Sequence, residues 1–369
     1  MKKMAIIVGL LAMAGGAGLA AQPSSRPVRI AIAGMSHDHV HGILRRPAQG
    51  DIEIVGLWEP DRARAERLVA RYGMGSVPVF PDLASMLEKT RPEAVAAFGS
   101  IAEHLQVVQA CAPRGIHVMV EKPLAFRTED ARTIKELSDR HRIHVLTNYE
   151  TTWYPSVHAM RDLLAKGAIG APRKIVVRDG HRGPREIGCS EEFLAWLTDP
   201  AGNGAGALVD FGCYGANLIT WLMSGKPPLT VTAITQQIKP DIYPKVDDEA
   251  TIIVTYPHAQ GIIQASWNWP IGRKDLDVYG QQGYLSAPDD SRLRMRKNEA
   301  AADESVMPAA LSAPYDDPFA YFAAVVRGTI EVKDDDLSSL ANNLVVVQVL
   351  DAAIKSAREG RTIQLTGSR

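Results

Sequence analysis

Gly115-Ile-His-Val-Met-Val-Glu-Lys-Pro-Leu124 is the stretch whose reading decides the fold. Ile116, Val118, Met119 and Val120 form a short apolar run after a turn glycine, the pattern of a strand buried on both faces of a parallel sheet. A carboxylate, an amine and a proline follow at its carboxyl end, as Glu121-Lys122-Pro123. Open α/β sheets bind ligands just outside the carboxyl ends of their strands. There the two charges can pair, and an amine held in a crevice can have its pKa lowered enough to exchange a proton. Spacing alone supports the plainer alternative equally: a charged surface loop with proline ending the strand.

The flanking chain favours the sheet. Val28 to Gly34 reads as a strand running into a turn, Glu53 to Trp58 as a second strand ending at Glu59, and Arg62 to Tyr72 as a helix with Ala63, Leu68 and Val69 on its apolar face. Strand, turn, helix, strand and acid in that order form a dinucleotide-binding unit, with Glu59 placed for the adenosine ribose hydroxyls. Its glycine fingerprint is incomplete: Gly34 is present, but Ser36 and His39 hold the second and third positions. Ser36 is small enough for close backbone approach; His39 demands looser helix–sheet packing. Further strands at Ala94–Phe98 and Ile143–Thr147 alternate with helices at Pro81–Thr90, Ile101–Ala112 and Thr128–Arg140, which predicts a doubly wound parallel sheet.

After about residue 150 the texture changes. Met160–Lys166 reads as a helix and Lys174–Arg178 as a strand, with a small-residue turn and helix over Ala205–Leu222. Val231–Gln237, Ala250–Tyr256, Gly261–Trp269 and Asp275–Tyr279 alternate apolar and polar residues, the signature of an antiparallel sheet with one covered face. Helices are expected at Phe319–Val326 and Leu340–Arg358, the latter packing back on the first domain. The predicted class is α/β: an N-terminal Rossmann-type doubly wound parallel sheet, then an α+β domain with an open, mostly antiparallel sheet. The expected divisions are an export signal at 1–21, a dinucleotide-binding domain at 22–149, a substrate and oligomerisation domain at 150–340, and a helix and tail at 341–369.

Composition narrows the function classes. With 46% hydrophobic and 22% charged residues over 369 positions, the chain can bury two cores. A net charge of −1 supplies no field for nucleic acid. The three cysteines have neither metal-knuckle spacing nor the even count of a disulfide framework. Lys2-Lys3, the apolar run Met4–Ala20 and the small residues up to Ala21 have the layout of a cleaved export signal, which predicts a periplasmic mature chain with no membrane span.

Taken together, these segments resemble the glucose–fructose oxidoreductase/inositol dehydrogenase/rhizopine catabolism (Gfo/Idh/MocA) family over essentially the whole mature chain. The opening stretch is similar to the family's GxHVxxEKP signature. His104 and Glu59-Pro60-Asp61 match upstream features, and Gly204–Asn217 matches its glycine-rich turn and DxGx(H/Y) helix. Val246–Thr251 matches the central sheet and Ser356–Arg361 the tail. The resemblance implies tightly bound NAD or NADP, contacted by Gly34, Ser36, His37, Glu59, His104 and Glu121. It implies that Lys122 bonds the reacting oxygen and relays its proton, that Asp210 bonds Lys122 or substrate, and that Tyr214 stands where most members have a catalytic histidine, as in the glucose–fructose oxidoreductase-like branch. A tyrosine beside an ammonium would favour phenolate. A helix cap for Asp210 and a core aromatic for Tyr214 are the bland alternatives. The implied partner is a carbohydrate, and the implied assembly a homodimer or homotetramer through the C-terminal sheet.

Other candidates belong to the substrate end. Tyr149, Trp153 and Tyr154 follow the last strand of the first domain, where aromatic faces suit a sugar ring or interdomain packing. Asp179, His181 and Arg182 follow a strand in a glycine-rich loop and offer donors and acceptors for a sugar. Trp267 and Trp269 read as core or interface. His37, Asp38, His39 and His41 lie inside the phosphate loop; three histidines and an aspartate can ligate a divalent metal, or the histidines can bond phosphate oxygens. Since a periplasmic enzyme meets no free nicotinamide pool, two chemistries are expected. One is a sugar oxidoreductase with resident NAD(P). The other is a glycoside-cleaving enzyme, hydrolase or lyase, working by transient oxidation and elimination or by a metal without NAD. A non-catalytic sugar-binding protein is disfavoured by retention of Lys122, Asp210 and Tyr214.

Overall fold

The computed structural model of the chain describes residues 26–365. The expected export signal at residues 1–21 lies outside them. In the first unit β1 (Val28–Ala33), α1 (Val40–Leu44), β2 (Ile52–Trp58), α2 (Arg62–Tyr72), β3 (Val79–Phe80), α3 (Leu83–Thr90), β4 (Ala94–Ala97), α4 (His104–Cys111), β5 (His117–Glu121), α5 (Thr128–His141) and β6 (Val145–Asn148) alternate. The six strands are all parallel, in the order β3-β2-β1-β4-β5-β6. Every residue of β4 is buried, as are Val118, Met119 and Val120 of β5, because helices cover both faces. The strand order reverses between β1 and β4, so the carboxyl ends there open a crevice.

The second unit contains α6 (Pro155–Ala165), β7 (Pro172–Gly180), α7 (Glu191–Leu197), α8 (Pro200–Asn203), α9 (Ala207–Asp210), α10 (Gly212–Leu222), β8 (Thr230–Gln236), β9 (Glu249–Thr255), β10 (Gln260–Ser266), β11 (Arg273–Gly280), β12 (Tyr284–Ala287), β13 (Leu293–Arg296), β14 (Glu304–Val306), α11 (Pro318–Val326), α12 (Leu340–Glu359) and β15 (Ile363–Gln364). Its nine-stranded sheet runs β14-β13-β12-β11-β7-β10-β9-β8-β15; only the β7–β10 pair is parallel. Ala250, Ile252 and Val254 of β9 face a core shared with α10 and α12, while the intervening residues stay half-exposed. This strict alternation marks a sheet covered on one side.

Two helices tie the units together. Phe319, Phe322 and Val325 of α11 join Ile30 and Ile32 in the core of the first sheet. The expectation that α12 packs back on the first domain describes part of its surface. Val347 enters the first unit's core, whereas Val346, Val349 and Leu350 enter the second's.

Sequence patterning missed α7, β12, β13, β14 and β15. The strands are two to four residues long, too short for a period to register, and sheet neighbours define them. For α7 a signal existed: Ser190 caps it by accepting from the Phe193 N–H, with Glu191 and Glu192 in the first turn. Strand β7 also runs past its expected end, so Asp179 and Gly180 are buried strand residues rather than loop residues.

Candidate active site

Two arms converge on a cleft of about 1050 Å³ between the units. The first is the end of β5, which delivers Glu121 and then Lys122. Buried His104 braces this corner by donating from Nδ1 to the Leu124 carbonyl at 3.2 Å. The second arm is the short α9. Asp247 accepts from the Gly206 and Leu208 N–H groups at 2.8 and 2.7 Å. A Cβ at Gly206 would lie 1.7 Å from the Asp247 carbonyl oxygen, so glycine is needed there. That clamp sets the turn carrying Asp210.

The arms meet at Lys122. Its Nζ donates to Asp210 Oδ1 at 2.5 Å and to the Asp210 carbonyl at 3.0 Å. Trp267, a fully buried residue, donates from Nε1 to Asp210 Oδ2 at 2.9 Å. Asp210 closes α9 and caps no helix, since α10 begins after Phe211 without a side-chain cap. Burial opposes ionisation of both partners, yet their mutual attraction outweighs it: Lys122 is raised above the ordinary lysine range and Asp210 lowered below the carboxylate range. The expected lowering of the lysine pKa is therefore reversed, because a carboxylate adjoins the ammonium.

Tyr214 lines the cleft between two cations. Lys122 Nζ lies 5.2 Å from its ring centroid and Lys274 Nζ 4.4 Å. Burial, followed by the fields of Glu150, Asp179, Cys213 and Asp210, nevertheless raises the phenol well above its usual range. The expectation that an adjacent ammonium would favour phenolate does not hold here; Tyr214 is a proton-bearing phenol. His181 also lines the cleft, with its ring edge-on to Phe211 at 4.8 Å. Its Nδ1 accepts from the Gly183 N–H at 2.9 Å, which leaves the proton on Nε2.

Asp179 sits behind the cleft wall. It is 1% exposed, and neither carboxylate oxygen has a hydrogen-bond partner. Burial raises it far above the carboxylate range despite the fields of Lys274 and Lys122. Lys274, its cross-strand neighbour, is bonded to Glu150 instead. Asp179 borders a second, water-sized cavity of about 10 Å³.

Three other expected substrate residues stand elsewhere. Tyr149 is fully buried, edge-on to Tyr214 at 5.5 Å, and serves the core. Trp153 donates to Asn148 Oδ1 at 3.1 Å and packs on Tyr321. Arg182 is exposed and contributes its backbone carbonyl to Lys239. The cleft wall instead includes Asp38, Glu150, Tyr154, Arg178 and Lys274; of these the sequence offered only Asp38, as a metal ligand, and Tyr154, as one of the aromatics. The signal for Lys274 was present: it lies on the alternating strand that also carries Asp275 and Asp277.

The β1–α1 corner is shaped for backbone approach. Gly34 has φ 76°, and a Cβ there would lie 2.9 Å from the Gly99 backbone. Half-buried Ser36 follows. Glu59 is turned into this loop: it accepts from the Met35 and Asp61 N–H groups at 2.9 and 2.8 Å, and from Arg64 at 3.1 Å. The glycine cradle fits a dinucleotide, with Glu59 bracing the loop.

The histidines diverge. His41 bonds the Tyr72 hydroxyl at 2.8 Å. His39 Nδ1 lies 2.8 Å from Glu121 Oε2, and His37 is buried beneath His39, Phe193 and Trp196. Burial, then the fields of His39, Lys122 and His104, hold His37 well below the imidazole range. Asp38 ties the loop to the second unit by accepting from the Ser190 N–H and hydroxyl at 3.0 and 2.6 Å.

Comparison with known proteins places this architecture. Residues 28–149 match the model of the oxidoreductase family with an NAD-binding Rossmann fold, and residues 157–286 match the GFO/IDH/MocA C-terminal domain. D-apiose dehydrogenase of Paraburkholderia graminis is 24% identical over 349 residues, covering 89% of this chain and 87% of that protein. Trans-1,2-dihydrobenzene-1,2-diol dehydrogenase of Xenopus tropicalis is 23% identical, covering 87% and 94%. The fold is shared with an inositol dehydrogenase homolog from Azotobacter vinelandii complexed with NAD+ (TM-score 0.78, 18% identity, 92% of this chain and 98% of that one). It is also shared with aldose-aldose oxidoreductase from Caulobacter crescentus complexed with glycerol (TM-score 0.76, 19% identity, 92% and 100%). With both of its units matched in order, the chain belongs to the GFO/IDH/MocA oxidoreductase family.

Proposed function

We propose that the protein interconverts a hydroxyl and a carbonyl on a sugar or related polyol, using resident NAD(P). The observation carrying this reading is the buried Lys122–Asp210 pair opening on the cleft beside the protonated Tyr214. Gly34 and Ser36 would hold the dinucleotide phosphates, while Glu59, buried and engaged by Met35, Asp61 and Arg64, braces the loop instead of reaching the ribose as expected; bound NAD(P) would supply the hydride acceptor or donor. This chain's own residues handle the proton. As the substrate hydroxyl gives its proton to Lys122, Lys122 passes one to Asp210 Oδ1 along their 2.5 Å bond. Reduction runs the same relay backwards. Tyr214, kept protonated, donates to a substrate oxygen, and the His181 Nε2–H offers a further donor. Asp210 stays oriented because Trp267 holds its other oxygen.

The export reading at residues 1–21 supports tight retention of the cofactor, since the periplasm offers no free pool. The half-exposed face of the second sheet supports assembly into a homodimer or homotetramer. A second reading, glycoside cleavage within the same site, draws on the reach of the cleft past Arg178 and Asp277 onto that face, room for a second sugar or an aglycone.

The test starts from protein recovered by osmotic shock and then denatured. Released NAD(H) or NADP(H) near one per chain, and reduction of the bound nucleotide by at least one aldose or inositol in a panel, are expected. Absence of nucleotide, with no polyol-dependent reduction of added NAD or NADP, overturns the proposal. Phenol release from aryl glycosides without net reduction selects the second reading.

A further inference from the structure

His37, His39 and Glu121 place one nitrogen, one nitrogen and one oxygen ligand atom within 4.8 Å of one another at the floor of the cleft. The geometry points to a divalent first-row transition-metal site built from these three residues, with His39 on the cleft and His37 and Glu121 buried behind it.

The ligand set comes from two distant stretches. The β1–α1 loop brings both histidines, and the end of β5 brings the carboxylate, 82 residues from His39. Two imidazoles and one carboxylate form a facial set that suits Zn²⁺, Mn²⁺, Fe²⁺ or Co²⁺ better than the all-oxygen preference of Ca²⁺ or Mg²⁺. Bonds of about 2.0–2.2 Å put facial or tetrahedral ligands about 3.0–3.5 Å apart, so binding must draw atoms that now span up to 4.8 Å together by about 1 Å. His39 can make that move: its side chain is 42% exposed, against 1% for Glu121.

The carboxylate is oriented from behind, as metal sites favour. Glu121 Oε1 accepts from Asn148 Nδ2 at 2.9 Å, leaving Oε2 as the inner ligand, and Asn148 is held in turn by Trp153. The His37 ring lies between the His39 ring at 4.4 Å and the Phe193 ring at 4.6 Å. Its Nε2 has no hydrogen bond, and its Nδ1 has only the 3.1 Å contact from the His39 N–H, which a metal bond replaces. Asp38 and His41 are engaged by Ser190 and Tyr72 and stay outside the set.

Lys122 is committed to Asp210, so it does not neutralise Glu121 alone. A divalent ion here would sit one residue from Lys122 along the chain and bind a substrate hydroxyl or carbonyl oxygen directly, acting as a Lewis acid beside the proton relay. Glu121 then serves the metal rather than the nicotinamide. The inference stands on these three residues and not on the nucleotide; metal and nucleotide are measured separately on one preparation.

The experiment is elemental analysis of full-length protein purified without chelator, followed by chelator stripping and titration with Co²⁺ while recording its visible d–d absorption. About one metal per chain and a saturable Co²⁺ spectrum are expected. His37→Gln, His39→Gln and Glu121→Gln should each lower retained metal at least tenfold, while His41→Gln retains it. Circular dichroism identifies any variant that fails to fold; for that position the wild type loaded with Cu²⁺ is read by pulsed EPR, where imidazole ¹⁴N modulations are expected and their absence removes the histidine ligands. No bound metal and no Co²⁺ spectrum, or binding that all three substitutions leave intact, overturns the site and leaves His39–Glu121 a plain ion pair.

Discussion

Two carboxyl groups lie buried beside one cleft and meet opposite fates. Asp210, at the end of α9, has Lys122 on one oxygen and Trp267 on the other, and it stays ionised. Asp179, at the end of β7, is at least as buried, has no hydrogen-bond partner, and burial raises its pKa well above the carboxylate range. Burial pushes both upward. The difference is a single committed cation: Lys122 bonds Asp210, whereas Lys274, across the ladder from Asp179, bonds Glu150. The cleft thus carries an ion pair on its wall and, behind it, a carboxyl whose pKa burial drives upward, environments that push two like groups apart.

The largest effect expected comes from breaking the pair. Lys122→Met leaves Asp210 buried beside Trp267 alone and should cost about 3–5 kcal/mol in urea unfolding, with turnover lost. Adding Asp210→Leu should restore most of that stability but no activity. A single-variant loss below about 1 kcal/mol would show that the pair is not the buried anchor described here.

Tyr214→Phe comes next. The ring stays between Lys122 and Lys274, so the thermal midpoint should hardly move, but turnover of the substrate found in the polyol panel should fall about 10²–10⁴-fold. Unchanged turnover would remove the phenol from the proton chemistry.

Asp179→Asn should have the smallest effect on turnover and show itself as a pH-dependent slope in stability. A carboxyl whose folded pKa is raised binds more protons in the folded than in the unfolded state. Wild-type stability therefore falls as pH rises above the unfolded value of about 4 towards the folded one. The Asn variant lacks that term, so its stability relative to wild type should grow between pH 5 and pH 8 in urea titrations. Parallel stability profiles would mean that Asp179 finds a partner in solution.

The alternation of apolar strands and helices up to residue 150, and the strict alternation of β9 and β10 after it, made both sheets legible, because period and burial are local consequences of residue order. Lys122, Asp210 and Tyr214, placed by motif, line the cleft, and so does His181, which the sequence offered only as a loop candidate. Tyr149, Trp153 and Arg182 did not: a loop position after a strand says little about which way a side chain turns. Glu121 was read as part of a charged tripeptide and as an implied NAD(P) contact, and nothing near it in sequence indicated His39.

By itself, then, the order of residues determined the two-sheet architecture, the glycines at Gly34 and Gly206 that allow close backbone approach, and the strand-end address of Lys122. Only the tertiary structure decided the protonation states. A pKa depends on which charges come within a few ångströms in low dielectric, and the partners of Lys122, Asp179 and Glu121 lie 88, 95 and 82 residues away in the chain or are missing altogether: Asp210 for the first, Lys274 as the nearest cross-strand cation for the second, and His39 for the third.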